Sequence, residues 1–187
     1  MKKLICVVLA LMMILAMAAC ADENKDAYES AVAVYNAGDY KAASEMLIAL
    51  GGGSAIDTAK VIGLGVPYDG DVWDFYDYKR KATACLPLGV ILTLAATGSE
   101  MSDSSVITKE EGLVKRGYSS DYCRPRFAIM NPELTMTLPD YQTACGCVDI
   151  LMHTMERWFY ASGGMELTDR ISASLMRTVM KHALILR

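Results

Sequence analysis

Histidine and basic charge are both in short supply in this sequence. Only two of the 187 residues are histidine, His153 and His182. Because imidazole is the commonest metal ligand in proteins, having only two histidines severely limits the metal sites that the chain can build. The formal net charge is −4 and no basic stripe occurs, so we expect no nucleic-acid partner.

Cysteine is too sparse for a disulfide scaffold, since the chain has six cysteines in 187 residues. Two of them belong to the first 20 residues, and the other four suit a reduced protein better than a secreted one. These four are Cys85, Cys123, Cys145 and Cys147. Hydrophobic residues make up 53% of the chain, which is enough for a domain of ordinary size with a real core.

Residues 1–20 have the pattern of a secretory leader. Two lysines follow the first methionine, residues 4–17 are almost wholly apolar, and two alanines precede Cys20. This pattern predicts cleavage and export, and the cysteine resembles the lipidated residue of a bacterial lipoprotein signal. The alternative is an uncleaved membrane anchor, although the apolar run is short for a stable span. We expect membrane contact only through this leader.

Residues 21–46 have apolar side chains at helical spacing on both sides of a break at Gly38. Gly38, Asp39 and Tyr40 resemble the inner part of a tetratricopeptide repeat, of which about three units are needed for stability. A simple amphipathic helix pair is the alternative. Residues 47–50 fit either the end of this helical stretch or a strand that precedes the next motif, so a seam between two unlike sequences falls here.

A glycine-rich turn, Gly-Gly-Gly-Ser, occupies residues 51–54. Glycine permits positive φ angles and a close approach of a ligand to the backbone. A helix is predicted from Ala55 to Leu64, and Ser54 is expected to cap it. Free backbone N–H groups at such a helix start can bind a pyrophosphate. The turn lacks the G-x-G-x-x-G spacing, so by itself it is weak evidence for a phosphate site.

Polar residues follow the end of a predicted buried strand at residues 86–92. Thr93, Thr97 and Ser99 stand where this strand ends, which is the usual place for ligand contacts in open α/β sheets. The alternative is a polar exit from the strand that carries no chemistry.

The remaining elements are predicted from glycine, proline and apolar patterns. A hairpin is expected at residues 106–115 with Gly112 in its turn, and a strand follows at residues 126–130. Pro139 lies in the first turn of a long helix. Residues 68–75 predict an aromatic-anchored surface helix, to which we assign no chemistry.

Asp149 and His153 are four residues apart in the predicted long helix and therefore share one face. A carboxylate and an imidazole are suitable ligands for Fe²⁺ or Zn²⁺, although a lone pair at this spacing is more often a surface pair or a cap. His182 is at the wrong spacing and is expected to be an ordinary helix residue. In residues 145–147, Cys-Gly-Cys, small side chains packed at a helix start are favoured over a thiolate metal site.

Three motifs in this order resemble the core of the iron-containing alcohol dehydrogenases, closest to their butanol dehydrogenase branch. They are the glycine-rich turn extended to Asp57 and Lys60, the stretch from Thr93 to Glu100, and the stretch from Asp149 to His153. The resemblance runs from about Leu47 to the end of the chain. It implies an α/β dinucleotide-binding part followed by the start of an all-α domain, an incomplete form of the dehydroquinate synthase-like fold.

The predicted division of the chain is a leader at residues 1–20, a helical stretch at 21–46, a partial NAD(P)-binding domain at 47–138 and the beginning of a helical metal-binding domain at 139–187. In the family, earlier strand–helix units carry an acidic residue near the adenine ribose, and later helices supply two more histidines. We expect neither here. An incomplete sheet should leave edges and apolar faces exposed.

The resemblance implies that nine residues contact the cofactor, which is NAD or NADP. They are Gly51, Gly52, Gly53, Ser54, Thr93, Thr97, Ser99, Ser104 and Lys115. It implies that Asp149 and His153 bind Fe²⁺ or Zn²⁺, and we assign no catalytic residue. The implied reaction interconverts a small primary alcohol and an aldehyde, with hydride passing to or from the nicotinamide while the metal acts as a Lewis acid.

The resemblance also implies a cytoplasmic enzyme that is a homo-oligomer at full length. A genuine leader would instead place the chain at a membrane as a lipid anchor. A lipid-anchored helical-repeat binding protein is therefore the competing hypothesis, and a non-functional fusion product is the third. We expect the chain by itself to be inactive.

Overall fold

The computed structural model describes residues 46–160 and 163–186, and the compact unit that contains them begins at Met46. The predicted leader and the helical stretch up to residue 45 lie outside the described residues. No helix in the described ranges is both long and apolar enough to cross a membrane.

Strands and helices alternate in the first part of the described chain, and two long helices follow. In chain order the elements are β1 (Leu47–Gly51), α1 (Gly53–Gly65), α2 (Trp73–Tyr76), β2 (Leu88–Leu92), β3 (Ser104–Lys109), β4 (Val114–Ser119), β5 (Phe127–Ile129), α3 (Asp140–Trp158) and α4 (Glu166–Ala183). Short 3-10 segments cover Glu111–Leu113, Asp121–Cys123 and Pro132–Thr135. The ambiguous residues before the glycine-rich turn therefore form a strand.

The described strands form a parallel sheet in the order β1-β2-β5 and a separate antiparallel hairpin of β3 and β4. Leu47 lies opposite Leu88, and Val90 lies opposite Ala128. The strand β2 is shorter than predicted because Leu86 donates its N–H to Gly63 O and a proline follows it, so neither residue can donate to the sheet. The hairpin prediction is confirmed, with Gly112 at φ 78°.

One face of the parallel sheet packs on α1. Its core consists of Ala49, Leu88, Val90 and Leu92, together with Ile56 from the helix. The opposite face is apolar yet exposed, with relative exposures of 41% at Ile48, 42% at Phe127 and 48% at Ile129. Because parallel sheets are normally covered on both faces, this agrees with the expected exposure of an incomplete sheet.

A second core lies between α1, α2 and the hairpin. Leu64, Phe75, Tyr76, Tyr118 and Cys123 are buried in it. The prediction of a surface helix at residues 68–75 is therefore wrong: α2 is only four residues long, and its aromatic rings fill a core. Burial raises the pKa of Tyr76 to about 12, and its hydroxyl shares a 2.5 Å hydrogen bond with the buried Ser105 hydroxyl.

The helices α3 and α4 pack against each other. Pro139 immediately precedes α3 and is its N-cap, one residue earlier than the predicted position inside the first turn. Proline fits there because its φ is fixed and the missing N–H would have no helical acceptor.

Candidate functional site

The glycine-rich turn connects β1 directly to the N-terminus of α1. Gly51 has φ 147°, and a Cβ on it would lie 2.7 Å from Ala55 Cβ, so a side chain there is both strained and obstructed. Thr93 donates its N–H to Gly51 O at 3.2 Å, which ties the end of β2 to this turn. The turn is thus held next to the carboxyl end of the neighbouring strand.

The prediction that Ser54 caps the helix is wrong. The N-cap is Gly52, no side chain caps it, and the first helical hydrogen bond runs from Ile56 N to Gly52 O at 3.1 Å. Ser54 lies inside the first turn, where its carbonyl oxygen accepts the Thr58 hydroxyl. The helix therefore starts at Gly53, two residues earlier than predicted. The first N–H groups of a helix have no acceptor within it, so this uncapped terminus can donate to an anion.

The loop after β2, residues 93–98, packs on the glycine-rich turn. A Cβ on Gly53 would lie 2.6 Å from Thr97 Oγ1, and one on Gly52 would lie 3.1 Å from Leu94 Cβ. The absence of side chains on both glycines therefore permits the contact. Gly98 turns the loop with φ 73°, and a Cβ there would meet no atom within 4 Å. Thr97 is exposed at this junction.

The same loop also receives α3. A Cβ on the buried Gly146 would lie 2.5 Å from the carbonyl oxygen of Ala95, so only glycine allows this approach. Residues 93–98 consequently touch the glycine-rich turn on one side and the helix of Asp149 and His153 on another. The glycine-rich turn and the helix of Asp149 and His153 therefore converge on the loop that begins the third motif.

The buried side chain of Lys60 holds residues 99–104, the stretch that follows this loop, in place. Its fully buried ammonium donates to the carbonyl oxygens of Ser99, Ser102 and Ser104 at 2.7 to 2.9 Å and to the Ser99 hydroxyl at 3.0 Å. Burial lowers the pKa of Lys60, while the Asp57 carboxylate acts in the opposite direction. The ammonium therefore acts as a fixed cross-link between α1 and residues 99–104.

Asp57 completes this network from the same face of α1. One carboxylate oxygen accepts the Ser99 hydroxyl at 2.6 Å, and the other accepts the N–H of Val106 at 2.9 Å. The loop after β2 and the start of β3 are thereby fixed to the helix that begins at the glycine-rich turn. Asp57 and Lys60 belong to the extended glycine-rich motif, but the sequence alone predicts no role for them. The sequence feature that could have indicated their role is a pair of charged residues, three apart, on a largely apolar helix.

Three of the predicted cofactor residues either lie away from the turn or use their polar groups in hydrogen bonds within the chain. Ser99 is buried, and its hydroxyl donates to Asp57, so its side chain supports the loop. Ser104 offers its carbonyl oxygen to Lys60. Lys115 is exposed on β4 opposite Thr108. Their contacts with a cofactor stay predictions.

Asp149 and His153 lie on one face of α3, as the spacing predicts. Asp149 Oδ2 is 3.7 Å from His153 Nε2, and their side chains are 40% and 43% exposed. That carboxylate oxygen is itself buried and has no hydrogen-bond partner among the described residues. An orphaned carboxylate oxygen beside an imidazole nitrogen suits a shared divalent cation. The other ring nitrogen of His153 is 3.7 Å from Glu156 Oε2, so a second carboxylate lies beside the imidazole.

The described residues hold no cluster of three or more His, Cys, Asp or Glu side chains that could bind a metal. His182 is an exposed residue near the end of α4, as expected, and its carbonyl oxygen accepts the N–H of Ile185. Cys145 and Cys147 are free thiols, and the glycine between them packs on Ala95, which agrees with the packing interpretation of this segment.

Comparison with known proteins points to one family. The family model described as iron-containing alcohol dehydrogenase matches residues 18–132. This match begins upstream of Leu47, so the expectation that nothing before Leu47 corresponds to the family does not hold for residues 18–46. It ends before α3.

Individual relatives give the same picture. The chain is 45% identical over 139 residues to a probable NADH-dependent butanol dehydrogenase 2 of Bacillus subtilis, covering 74% of this chain and 36% of that protein. It is 45% identical over 138 residues to NADH-dependent butanol dehydrogenase A of Clostridium acetobutylicum, with the same coverages. The crystal structure of NADH-dependent butanol dehydrogenase A from Thermotoga maritima superposes with a TM-score of 0.73 at 37% identity, covering 76% of this chain and 35% of that one. The chain thus spans about a third of the length of these relatives, and the predicted fold is confirmed.

Proposed function

The chain belongs to the iron-containing alcohol dehydrogenase family, and from that premise we propose that it is part of an NAD(P)-linked, metal-dependent oxidoreductase that interconverts a primary alcohol and an aldehyde. The observation that carries the proposal is the convergence at residues 93–98. Gly53 packs against Thr97, and Gly146 packs against Ala95. A cofactor at the start of α1 would therefore lie beside the same loop as the helix of the metal ligands.

In this proposal, residues 47–138 form the cofactor-binding part. The uncapped N-terminus of α1 holds the cofactor phosphates through backbone N–H groups of residues 51–54. Thr93 and Thr97 belong to the adjoining loop. Asp57 and Lys60 keep the next residues, 99–104, in place. Support comes from the fit of the turn, where added side chains would collide with Ala55 and Thr97. The butanol dehydrogenases of Bacillus subtilis and Clostridium acetobutylicum are named as NADH-dependent.

Residues 139–187 form the start of the metal-binding part. Asp149 and His153 would hold Fe²⁺ or Zn²⁺, a role that fits the orphaned Asp149 Oδ2. Such an ion supplies Lewis-acid polarisation of an alcohol or carbonyl oxygen, and NAD(P) carries the hydride. The residues of this chain contribute placement: Gly146 brings α3 to Ala95, and the Glu156 carboxylate lies 3.7 Å from the other ring nitrogen of His153.

Replacing Gly53 with alanine is expected to weaken NADH binding by about tenfold or more, because a new Cβ would collide with Thr97 at the phosphate end of α1. Saturation-transfer NMR of NADH with the full chain suits the weak binding expected of an incomplete cleft. Gly117→Ala is the matched control, since its Cβ would meet Val106 at an ordinary 3.6 Å. Circular dichroism verifies that both variants fold. Equal NADH signals from the wild-type chain and Gly53→Ala would contradict the assignment.

We propose separately that residues 1–20 are a lipoprotein-type leader that is lipidated at Cys20. The support is the sequence pattern of two lysines, an apolar run at residues 4–17 and two alanines before the cysteine. Expression in a bacterial host with radiolabelled palmitate should label the wild-type chain and leave Cys20→Ser unlabelled. A chain that stays unlabelled and wholly cytosolic would remove this proposal and the lipid-anchored binding protein with it.

A further inference from the structure

The helix α4 carries a row of exposed apolar side chains on a side that α3 does not cover. The two helices pack against each other, and Ser172 is the buried residue of α4. Leu167, Ile171 and Leu175 follow one another at intervals of four residues and share a different side of the helix. Their relative exposures are 73%, 59% and 44%. This apolar row is therefore open to water in the described part of the chain.

The apolar row continues beyond the last residue of α4. Leu186 donates its N–H to His182 O at 3.2 Å, so the helical path extends past Ala183. Ile185 then falls 14 residues after Ile171, which returns it to the side of the row, and both Ile185 and Leu186 are exposed. Within the row, the Thr178 hydroxyl donates to a backbone carbonyl oxygen. A continuous exposed apolar patch of this kind marks an interaction surface.

The charges of α4 are separated along its length. Glu166 and Asp169 lie in its first turn, and Glu166 is ion-paired with Arg170 at 2.5 Å. Residues 170–187 contain no Asp or Glu, although the net charge of the chain is −4. The basic residues of this stretch are Arg170, Arg177, Lys181 and Arg187. The C-terminal half of α4 is therefore cationic in an otherwise acidic chain.

Two of these cations lie along one edge of the apolar row. Lys181 and Arg177 are about 40° and 80° away from Leu167 around the helix axis, on the side opposite to Ile171. Both are exposed, and neither forms an ion pair with another described residue. Aliphatic side chains flanked by lysine and arginine are the pattern of a helix that lies in a membrane interface, because the long basic side chains can reach the lipid phosphates while the apolar side is submerged.

We propose that α4 docks on the surface of an anionic lipid bilayer, with its apolar row at the level of the acyl chains and Arg177 and Lys181 at the lipid phosphates. Charge favours this occupant over a second copy of the chain. Two copies whose rows overlapped fully would bring their cationic halves together, whereas anionic lipid attracts each of these cations. The surface adds a membrane contact to the one predicted for the leader. It is independent of the proposed dehydrogenase function, since α4 carries none of the assigned cofactor or metal residues.

Site-specific quenching of tryptophan fluorescence tests the proposal with the full chain. Leu184→Trp adds an indole at the exposed end of α4, and Met136→Trp is the matched control because Met136 is exposed outside α4. The vesicles contain equal parts of phosphatidylglycerol and phosphatidylcholine with brominated acyl chains, and the wild-type signal is subtracted. We expect added quenching in Leu184→Trp and none in Met136→Trp. Sodium chloride at about 1 M, where the Debye length is about 3 Å, should remove most of it.

Charge variants are made in the Leu184→Trp background, and circular dichroism verifies that they fold. Arg177→Gln with Lys181→Gln should raise the lipid concentration for half-maximal quenching at least about tenfold, because two lipid contacts are lost. Lys81→Gln with Lys115→Gln removes the same charge from exposed lysines outside α4 and should leave that concentration unchanged. A leader that inserts by itself would affect both double variants alike.

Three results would overturn the proposal. The first is no added quenching in Leu184→Trp, and the second is equal quenching by vesicles of brominated phosphatidylcholine alone, since the surface would then not recognise anionic lipid. The third is a wild-type dimer in sedimentation equilibrium without vesicles that Leu175→Gln dissociates, because a second copy would then cover the apolar row.

Discussion

Replacing Lys60 with methionine is expected to lower the free energy of unfolding by about 3–5 kcal/mol, since it deprives several buried oxygens of their donor. Methionine matches the apolar stem of lysine but donates nothing. The carbonyl oxygens of residues 99, 102 and 104 would lose the ammonium that now reaches each of them within 2.9 Å. The Asp57 carboxylate would also lose the nearby cation. Burying such groups without partners is more costly than never having the network.

Urea unfolding followed by circular dichroism measures this effect, and the midpoint should fall well below that of the wild-type chain. Lys115→Met is the matched control, because Lys115 is exposed on β4 and its loss should change stability by less than about 0.5 kcal/mol. Hydrogen exchange gives a second, local measurement, since residues 99–104 should lose protection before the parallel sheet does. A Lys60→Met chain with unchanged midpoint and unchanged exchange would show that other contacts hold this loop.

The elements that the sequence predicted well are those specified by neighbouring residues. The apolar run 88–92, the turn glycine Gly112 and the proline before α3 each act within a few residues of themselves. Their physical causes are local: burial of β-branched and aliphatic side chains, a positive φ angle, and a missing N–H. The order of motifs along the chain was likewise sufficient to indicate the family.

The features that the sequence did not reveal depend on pairs of residues far apart in the chain. Lys60 meets Ser104 across 44 residues, and Gly53 meets Thr97 across a similar separation. No local pattern indicates that a lysine in a helix will be fully buried, because its partners are carbonyl oxygens that any residue could supply. The surface prediction for α2 failed for a related reason: its aromatic rings are buried by β4, which lies some 40 residues later. Ser54 failed as a cap because the helix begins two residues before the predicted start, with Gly52 as its N-cap and no side-chain cap.

Purified as it stands, the chain is expected to show no alcohol dehydrogenase turnover and at most weak metal binding. Asp149 and His153 are two ligands; Glu156 faces the other ring nitrogen of His153, and the described residues hold no group of three His, Cys, Asp or Glu side chains that could bind a metal. A divalent ion on a half-exposed pair keeps most of its water and gains little selectivity. A second copy of the chain would add no histidines other than its own His153 and the exposed His182, the two histidines of the sequence.

Placement of the reactants would be lost together with the metal. A correctly built site can reduce the barrier by roughly 7–11 kcal/mol by fixing the reacting groups. This chain spans about a third of the length of its relatives, so its cofactor cleft is expected to lose most of that reduction. The assay follows NADH or NADPH absorbance with butanol or butyraldehyde, in the presence of Fe²⁺ or Zn²⁺, and compares wild type with His153→Ala and His182→Ala. We expect all three traces to equal the buffer. Turnover that disappears in His153→Ala would prove this prediction wrong, and its loss in His182→Ala as well would identify the residue that completes the metal site.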